Sequence, residues 1–374
     1  MRTLSGATAS SPAPPTSAPG AARRGASARR AGWPPAQVPA WTITACAGLV
    51  YVLAAPPSSD LAAASYRSYL FSRAGFTIWE DGWYGGHHLP AYSLLAPALG
   101  AWLGPQLVAA LAMTAAAALF AALIEGAFPR RAARMAAVWL AVGASVSLLS
   151  NRVPFDLGLA IGLGCLVVAA RGGRGARAWR VGAGLALAVL CALASPVAGA
   201  FLALACVAWG LTFRARWPFG LAVCALAPIG VLAYVFPEGG TQPFAGSAFY
   251  PGLLGVAIIG AFTASTPRAV LALRIGTGLY GAMLICAYVL PTAVGGNADR
   301  LGALFAGPVA ALALLGRRPR WLVWALAPFL LYWQVNAPVS DFLAAAGDPG
   351  VRASYYRPLL AELRRLGVGY GGPP

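Results

Sequence analysis

Long apolar stretches follow one another from about residue 38 to residue 337, separated by short segments that carry arginine, glycine or proline. A helix that crosses a membrane needs about 20 apolar residues. The pattern therefore predicts an all-α fold, a polytopic transmembrane helix bundle of about eleven spans. We predict spans at residues 38–56, 104–128, 133–150, 153–171, 181–195, 197–213, 217–236, 252–267, 273–291, 301–316 and 321–337.

Composition agrees with a membrane protein, because 59% of the residues are hydrophobic and only 10% are charged. A soluble domain carries about 25% charged residues. The net charge of +17 would suit a nucleic-acid partner, but the arginines lie between apolar runs, where they act as an orientation signal. We therefore expect the lipid bilayer as a partner, and no nucleic acid.

The distribution of arginine predicts the orientation. With eleven spans and a cytoplasmic N-terminus, 19 of the 27 arginines and one acid, Glu125, fall on the cytoplasmic side. This sorting also favours two helices rather than one kinked helix around Ser195 and Pro196. We expect a multi-pass protein of the cell membrane with an external C-terminus.

Three regions follow from this topology. Residues 1–37 are rich in Ser, Pro, Ala and Gly and are expected to be a disordered cytoplasmic tail. Residues 38–337 form the transmembrane domain, with a large outer loop at 57–103. Residues 338–374 form an external tail with two short helices, and its final glycines and prolines predict further chain beyond residue 374.

The outer loop holds most of the candidate chemistry. Residues 60–74 predict an amphipathic helix on the membrane surface that begins at Asp60 and stops at Gly75. Residues 89–103 are apolar, but a full crossing there would invert every later loop. We therefore predict a re-entrant or interfacial helix for them.

Each polar residue of this loop has two interpretations. Asp60 is either an N-cap or a general base at the membrane surface. His87 and His88 are packing residues, hydrogen-bonding groups of a polar pocket, or metal ligands. Glu80 and Asp81 either belong to a solvated turn or assist in binding a divalent cation.

Arg152 and Arg300 break the positive-inside pattern, and each has an acid nearby, Asp156 and Asp299 respectively. They form local ion pairs or reach towards the interface, or they hold a lipid phosphate, which arginine binds in a bidentate manner.

Several segments together resemble the glycosyltransferases of the GT-C superfamily. They are Asp60 soon after the first span, the aromatic outer loop, and the stretches HHLPAYSLLAPALG, NRVPFDLGLAIGLG, SPVAGAFLAL and NADRLGALFAGP. The resemblance implies a GT-C-like bundle that transfers a sugar from a polyprenyl-phosphate-linked donor at the outer face. It implies Asp60 as catalytic base and Arg300 as a ligand of the carrier phosphate. We expect Arg152 to share the phosphate, and His87, His88 and Tyr92 to shape the pocket.

Two other classes of function stay open at this point. A transporter or flippase would show a path through the middle of the membrane. A non-catalytic membrane assembly protein would show no cavity. An outer cavity near Asp60 and Arg300 favours the enzyme.

Overall fold

The structure is a computed structural model. It describes residues 38–82, 86–171, 177–237, 240–263, 268–315 and 321–367. The predicted disorder of residues 1–37 lies outside the described residues. Within the described chain there are fourteen α-helices. They are α1 (Trp41–Ala54), α2 (Leu61–Ala74), α3 (Ala96–Leu103), α4 (Pro105–Ile124), α5 (Arg130–Ser147), α6 (Val153–Ala170), α7 (Arg177–Ala194), α8 (Pro196–Phe213), α9 (Trp217–Val235), α10 (Gly246–Phe262), α11 (Arg268–Val289), α12 (Asp299–Leu314), α13 (Trp321–Gly347) and α14 (Arg357–Arg365).

Seven helical segments are long and apolar enough to cross a membrane, which agrees with a multi-pass membrane protein. They are Pro105–Ile124, Arg130–Ser150, Val153–Ala170, Pro196–Phe213, Trp217–Val235, Val270–Val289 and Trp321–Gly347. Shorter apolar helices occupy Trp41–Ala54, Trp179–Ala194 and Gly246–Ala261. The count of eleven spans stays a prediction.

The structure separates two helices at Ser195, as the sequence predicts. Ser195 is extended, and its hydroxyl accepts a hydrogen bond from the Ala198 backbone N–H at 3.3 Å. Pro196 occupies the first position of α8, where its missing N–H costs nothing. This N-cap makes α7 and α8 separate helices rather than one kinked helix.

Helix α2 confirms the helix predicted for residues 60–74, and α3 confirms that residues 89–103 do not form a straight crossing. Eight residues of α-helix span only about 12 Å. Helix α2 packs on α3 where Ser68 lies against Gly100, at which a Cβ would come within 2.2 Å of the serine hydroxyl. The glycine therefore permits the close approach of these two helices.

A short antiparallel pair of strands, β1 (Trp79–Glu80) and β2 (His87–His88), follows α2. Trp79 pairs with His88, and Glu80 pairs with His87.

Helix α13 is longer than its predicted span of 321–337, because it continues through Pro338 to Gly347. The predicted short helix after residue 340 is therefore part of α13. The final helix α14 begins with Pro358 in its first turn, as the sequence predicts.

Candidate functional site

Asp60 lies at the start of α2, but its side chain does not cap that helix. The Asp60 backbone has helical angles, and the carboxylate accepts no capping hydrogen bond. An N-cap residue normally has an extended backbone and accepts from the N–H groups of the first turn. The N-cap interpretation of the side chain is therefore wrong, and the carboxylate, 42% exposed, is available for other interactions.

Among the described residues, Arg152 is the cation that forms an ion pair with Asp60, with Nε at 3.7 Å from Asp60 Oδ2. Arg152 follows Asn151, which adopts the left-handed conformation with φ of +51° and turns the chain into α6. Asparagine tolerates this conformation better than most residues. The turn positions the Arg152 guanidinium beside the start of α2.

Arg152 is held more closely by Asp341, a residue for which the sequence predicts no role. Arg152 Nη2 donates to Asp341 Oδ2 at 2.8 Å, and the Ser150 hydroxyl donates to the same oxygen at 2.7 Å. Asp341 belongs to the part of α13 beyond the predicted span. The expected local pair between Arg152 and Asp156 is therefore replaced by pairs with Asp341 and Asp60.

Arg300, in the first turn of α12, has a different environment. Within the described residues its guanidinium makes no hydrogen bond or ion pair, and it lies 5.5 Å from the centre of the Phe155 ring. Its sequence neighbour Asp299 instead accepts a 2.9 Å hydrogen bond from Trp333 Nε1. Arg300 is thus not paired with Asp299, although it lies within electrostatic range of Asp60 and Asp156.

Behind these residues lies a set of buried polar groups. Asp156 and Asn151 are fully buried, and within the described chain neither Asp156 carboxylate oxygen has a hydrogen-bond partner. The Asn151 side-chain amide and the Tyr51 hydroxyl are likewise without partners there. Buried polar groups are normally satisfied by protein or by ordered water. We therefore expect internal water at this position.

Tyr92 joins Asp60 at a small cavity of about 20 Å³, which is also lined by Asn151 and Arg67. The Arg67 guanidinium lies 4.0 Å from the centre of the Tyr92 ring. This volume accommodates about one water molecule. Of the predicted residues, Asp60 and Tyr92 thus line one cavity, and Arg152 lies beside Asp60. Arg300 lies within electrostatic range of both Asp60 and Tyr92.

Glu80 is buried, so the interpretation as a solvated turn is wrong for this residue. Its Oε1 accepts hydrogen bonds from the Tyr66 hydroxyl at 2.5 Å and from the Gly82 N–H at 2.6 Å. The hydrogen bond to Glu80 raises the pKa of Tyr66 to about 12. Glu80 therefore secures the strand pair to α2.

The two histidines belong to this same region. His87 Nδ1 lies 3.8 Å from Glu80 Oε2, and the His88 ring lies 4.9 Å from the rings of Trp79 and Phe236. Among the described residues, no group of three or more His, Cys, Asp or Glu side chains could hold a metal ion. The expected contribution of Glu80 and exposed Asp81 to a cation site has no geometric support there.

A large apolar cavity of about 460 Å³ lies between α4, α6, α8, α10, α11, α12 and α13. Along α6 its lining extends from Gly158 to Ala170, which corresponds to about 18 Å of helix. Near the start of α12 the lining includes Leu301 and Gly302, the two residues after Arg300. An elongated apolar cavity of this size suits a hydrocarbon chain.

Gly302 also permits the contact that occupies Asp299. A Cβ at Gly302 would come within 2.3 Å of the Trp333 ring, so a larger residue would displace the tryptophan. Trp333 lines the cavity and donates to Asp299. The hydrogen bond from Trp333 therefore engages the carboxylate of Asp299, the acid next to Arg300 in the sequence.

The electrostatics of the site centre on Asp60. Burial raises the pKa of the Asp60 carboxyl above its ordinary value of 3.8, while the charges of Arg152 and Arg300 partly oppose that rise. Asp341 adds to the rise because it is a neighbouring anion. A carboxylate with a raised pKa and partial exposure is chemically suited to accept a proton.

Comparison with known protein families, with curated proteins and with solved structures finds no match to this chain.

Proposed function

We propose that this protein is a GT-C-like glycosyltransferase that uses a polyprenyl-phosphate-linked sugar at the outer face of the membrane. The observation that carries the proposal is the position of Arg300. The Arg300 guanidinium has no ion pair within the described chain, and the next residue in the sequence, Leu301, lines the long apolar cavity. This combination fits an amphiphile with an anionic head and a long hydrocarbon tail.

In this proposal Arg300 binds the carrier phosphate, because guanidinium geometry matches phosphate oxygens. The carrier chain enters the cavity beside Leu301 and Gly302. Arg152 is a positioning residue, because Asp341 already holds its guanidinium at 2.8 Å. This assigns Arg152 a smaller part in phosphate binding than the sequence alone suggested.

Asp60 acts as the general base in this mechanism. It takes the proton from the acceptor hydroxyl as that oxygen attacks the anomeric carbon, and the bond from that carbon to the carrier phosphate breaks. The carrier phosphate leaves with the bonding electron pair, and Arg300 stabilises its negative charge. Tyr92 lines the same small cavity as Asp60, so the two side chains lie close together at the proposed site.

A second candidate function is the transport of a lipid across the membrane. The extent of the apolar cavity along α6 favours it, because about 18 Å covers more than half of a hydrocarbon core about 30 Å thick. A transporter would move the lipid without cleaving the sugar–phosphate bond.

The direct test is binding of the lipid by the purified protein in nanodiscs. We expect polyprenyl phosphate to bind more tightly than polyprenol, and Arg300→Ala to remove that preference while Arg300→Lys retains part of it. Conversion of a polyprenyl-phosphate-linked sugar into free carrier and glycosylated acceptor then separates the enzyme from the transporter. Equal binding of phosphate and alcohol would contradict the role of Arg300.

A further inference from the structure

The last described helix, α14, has an apolar side and a basic side. Leu359, Leu363 and Leu366 recur at helical spacing and lie on one side. Leu359 is 57% exposed and Leu366, directly after the helix, is 59% exposed. An amphipathic helix normally buries such a side against another element.

Within the described chain, α14 packs chiefly on the neighbouring 3-10 turn, Ala353–Tyr356. Tyr355 and Tyr356 in that turn are themselves exposed. Tyrosine side chains are enriched at membrane interfaces because one end is apolar and the other forms hydrogen bonds with water. The turn and the helix thus both present exposed aromatic or apolar side chains.

The charge of this segment is strongly basic. From Arg352 to Leu366, both included, the chain has four arginines and one acid. That acid, Glu362, accepts two hydrogen bonds from Arg365 at 2.6 and 2.8 Å. Arg357 and Arg364 form no ion pair with any described residue, so their charges are available to an external anion.

The location of α14 decides which surface it meets. It follows α13, one of the helices long enough to cross a membrane, after a connection of nine residues. The headgroup region of the bilayer is therefore the nearest surface that offers both an apolar phase and anions. A basic amphipathic helix with apolar residues on the other side is the type that lies in this interface.

We propose that α14 and the turn before it form an interfacial lipid-binding helix that recognises anionic phospholipid headgroups. The leucine side inserts below the headgroups, and Arg357 and Arg364 contact the lipid phosphates. This inference rests on the crossing of the membrane by α13 and is independent of sugar transfer.

The full-length protein tests this proposal in nanodiscs of phosphatidylcholine with or without phosphatidylglycerol. A polarity-sensitive fluorophore is attached at Leu359→Cys, with Ala361→Cys on the opposite side of α14 as the matched control. The accessible Cys46, Cys224 and Cys286 are replaced by alanine in both proteins. Brominated acyl chains report contact with lipid, and iodide reports contact with water.

We expect brominated lipid to quench the probe at position 359 and iodide to quench the probe at position 361. Replacing both Arg357 and Arg364 by glutamine should weaken the lipid quenching in discs that contain phosphatidylglycerol. At low salt, each lost arginine should lower the partition coefficient of α14 into the lipid by about five-fold. In discs of pure phosphatidylcholine, the same double variant should show nearly the same lipid quenching as the protein with both arginines.

Equal iodide quenching at the two positions would place α14 in water and overturn the proposal. Protection of position 359 from both quenchers would mean that protein covers the leucine side, either a second copy or another part of the chain, and would also overturn it. An unchanged response of the double variant would refute the recognition of anionic headgroups.

Discussion

The Arg152 guanidinium lies 2.8 Å from the Asp341 carboxylate, an ion pair between residues 189 positions apart in the sequence. Asp341 also accepts a hydrogen bond from Ser150, so it connects α13 to the turn before α6 at two points. Because Arg152 also lies 3.7 Å from the Asp60 carboxylate, the position of α13 is coupled to the proposed catalytic base.

We predict that Asp341→Asn lowers stability while keeping the size of the side chain. It weakens charge-assisted hydrogen bonds worth about 1.5–3 kcal/mol. Thermal unfolding of the purified protein should show a lower Tm than wild type. Glu362→Gln is the control, because its ion pair is exposed and screened by solvent, and it should be nearly silent. A Tm for Asp341→Asn that equals that of the control would show that this ion pair does not stabilise the fold.

The pH dependence of turnover should report the protonation of Asp60. A general base must be deprotonated, so kcat/KM should fall as the pH falls through the pKa of Asp60, which burial places above 3.8. Arg152 lowers this pKa, so Arg152→Gln should move the acid limb to higher pH. Asp341 raises it, so Asp341→Asn should move the limb to lower pH. Shifts of both variants in the same direction would be inconsistent with Asp60 as the titrating base.

Sequence patterns predicted the elements well, because apolar run length and helix caps are local properties. The break at Ser195, the helix after Asp60 and the short helix before α4 all follow from local signals. The end of α13 does not follow from such signals, because the predicted span stops at residue 337 whereas the helix continues through Pro338 to Gly347. Proline is tolerated within such helices when neighbouring groups satisfy the freed backbone.

The site was predictable only in part. Asp60, Arg152 and Arg300 stood out as charges at helix ends, but their partners depend on tertiary packing. Nothing in the sequence relates Arg152 to Asp341, and the adjacent acids Asp156 and Asp299 were the natural candidates. The burial of Glu80 beside Tyr66 likewise depends on the packing of the strand pair against α2.

Filling the large cavity should impair binding of a long-chain lipid. Gly276 on α11 lines the cavity, so Gly276→Leu should reduce the affinity for polyprenyl phosphate by roughly ten-fold or more, as expected when bulk enters a packed site. Gly278→Leu on the same helix is the matched control, because a Cβ at Gly278 meets nothing within 4 Å. Equal affinities of the two variants, measured on folded protein, would exclude this cavity as the binding site.

The orientation predicted from arginine can be tested by cysteine labelling in intact cells. Ser72 near the end of α2 and Arg131 in the first turn of α5 are both exposed. In a background lacking accessible cysteines, an impermeant maleimide should label Ser72→Cys and should reach Arg131→Cys only after the membrane is permeabilised. Labelling of Arg131→Cys in intact cells would reverse the predicted orientation.

The most direct measurement is sugar transfer by Asp60→Asn, assayed with purified protein in nanodiscs and a polyprenyl-phosphate-linked sugar. The amide keeps the size of the side chain and removes the base, while Arg300 can still bind the carrier phosphate. We expect sugar transfer to fall by about 10²-fold or more, since positioned acid–base catalysis contributes that much. The affinity for the carrier and the Tm should stay close to those of the wild type. Wild-type transfer by Asp60→Asn would contradict the assignment of Asp60 as the catalytic base.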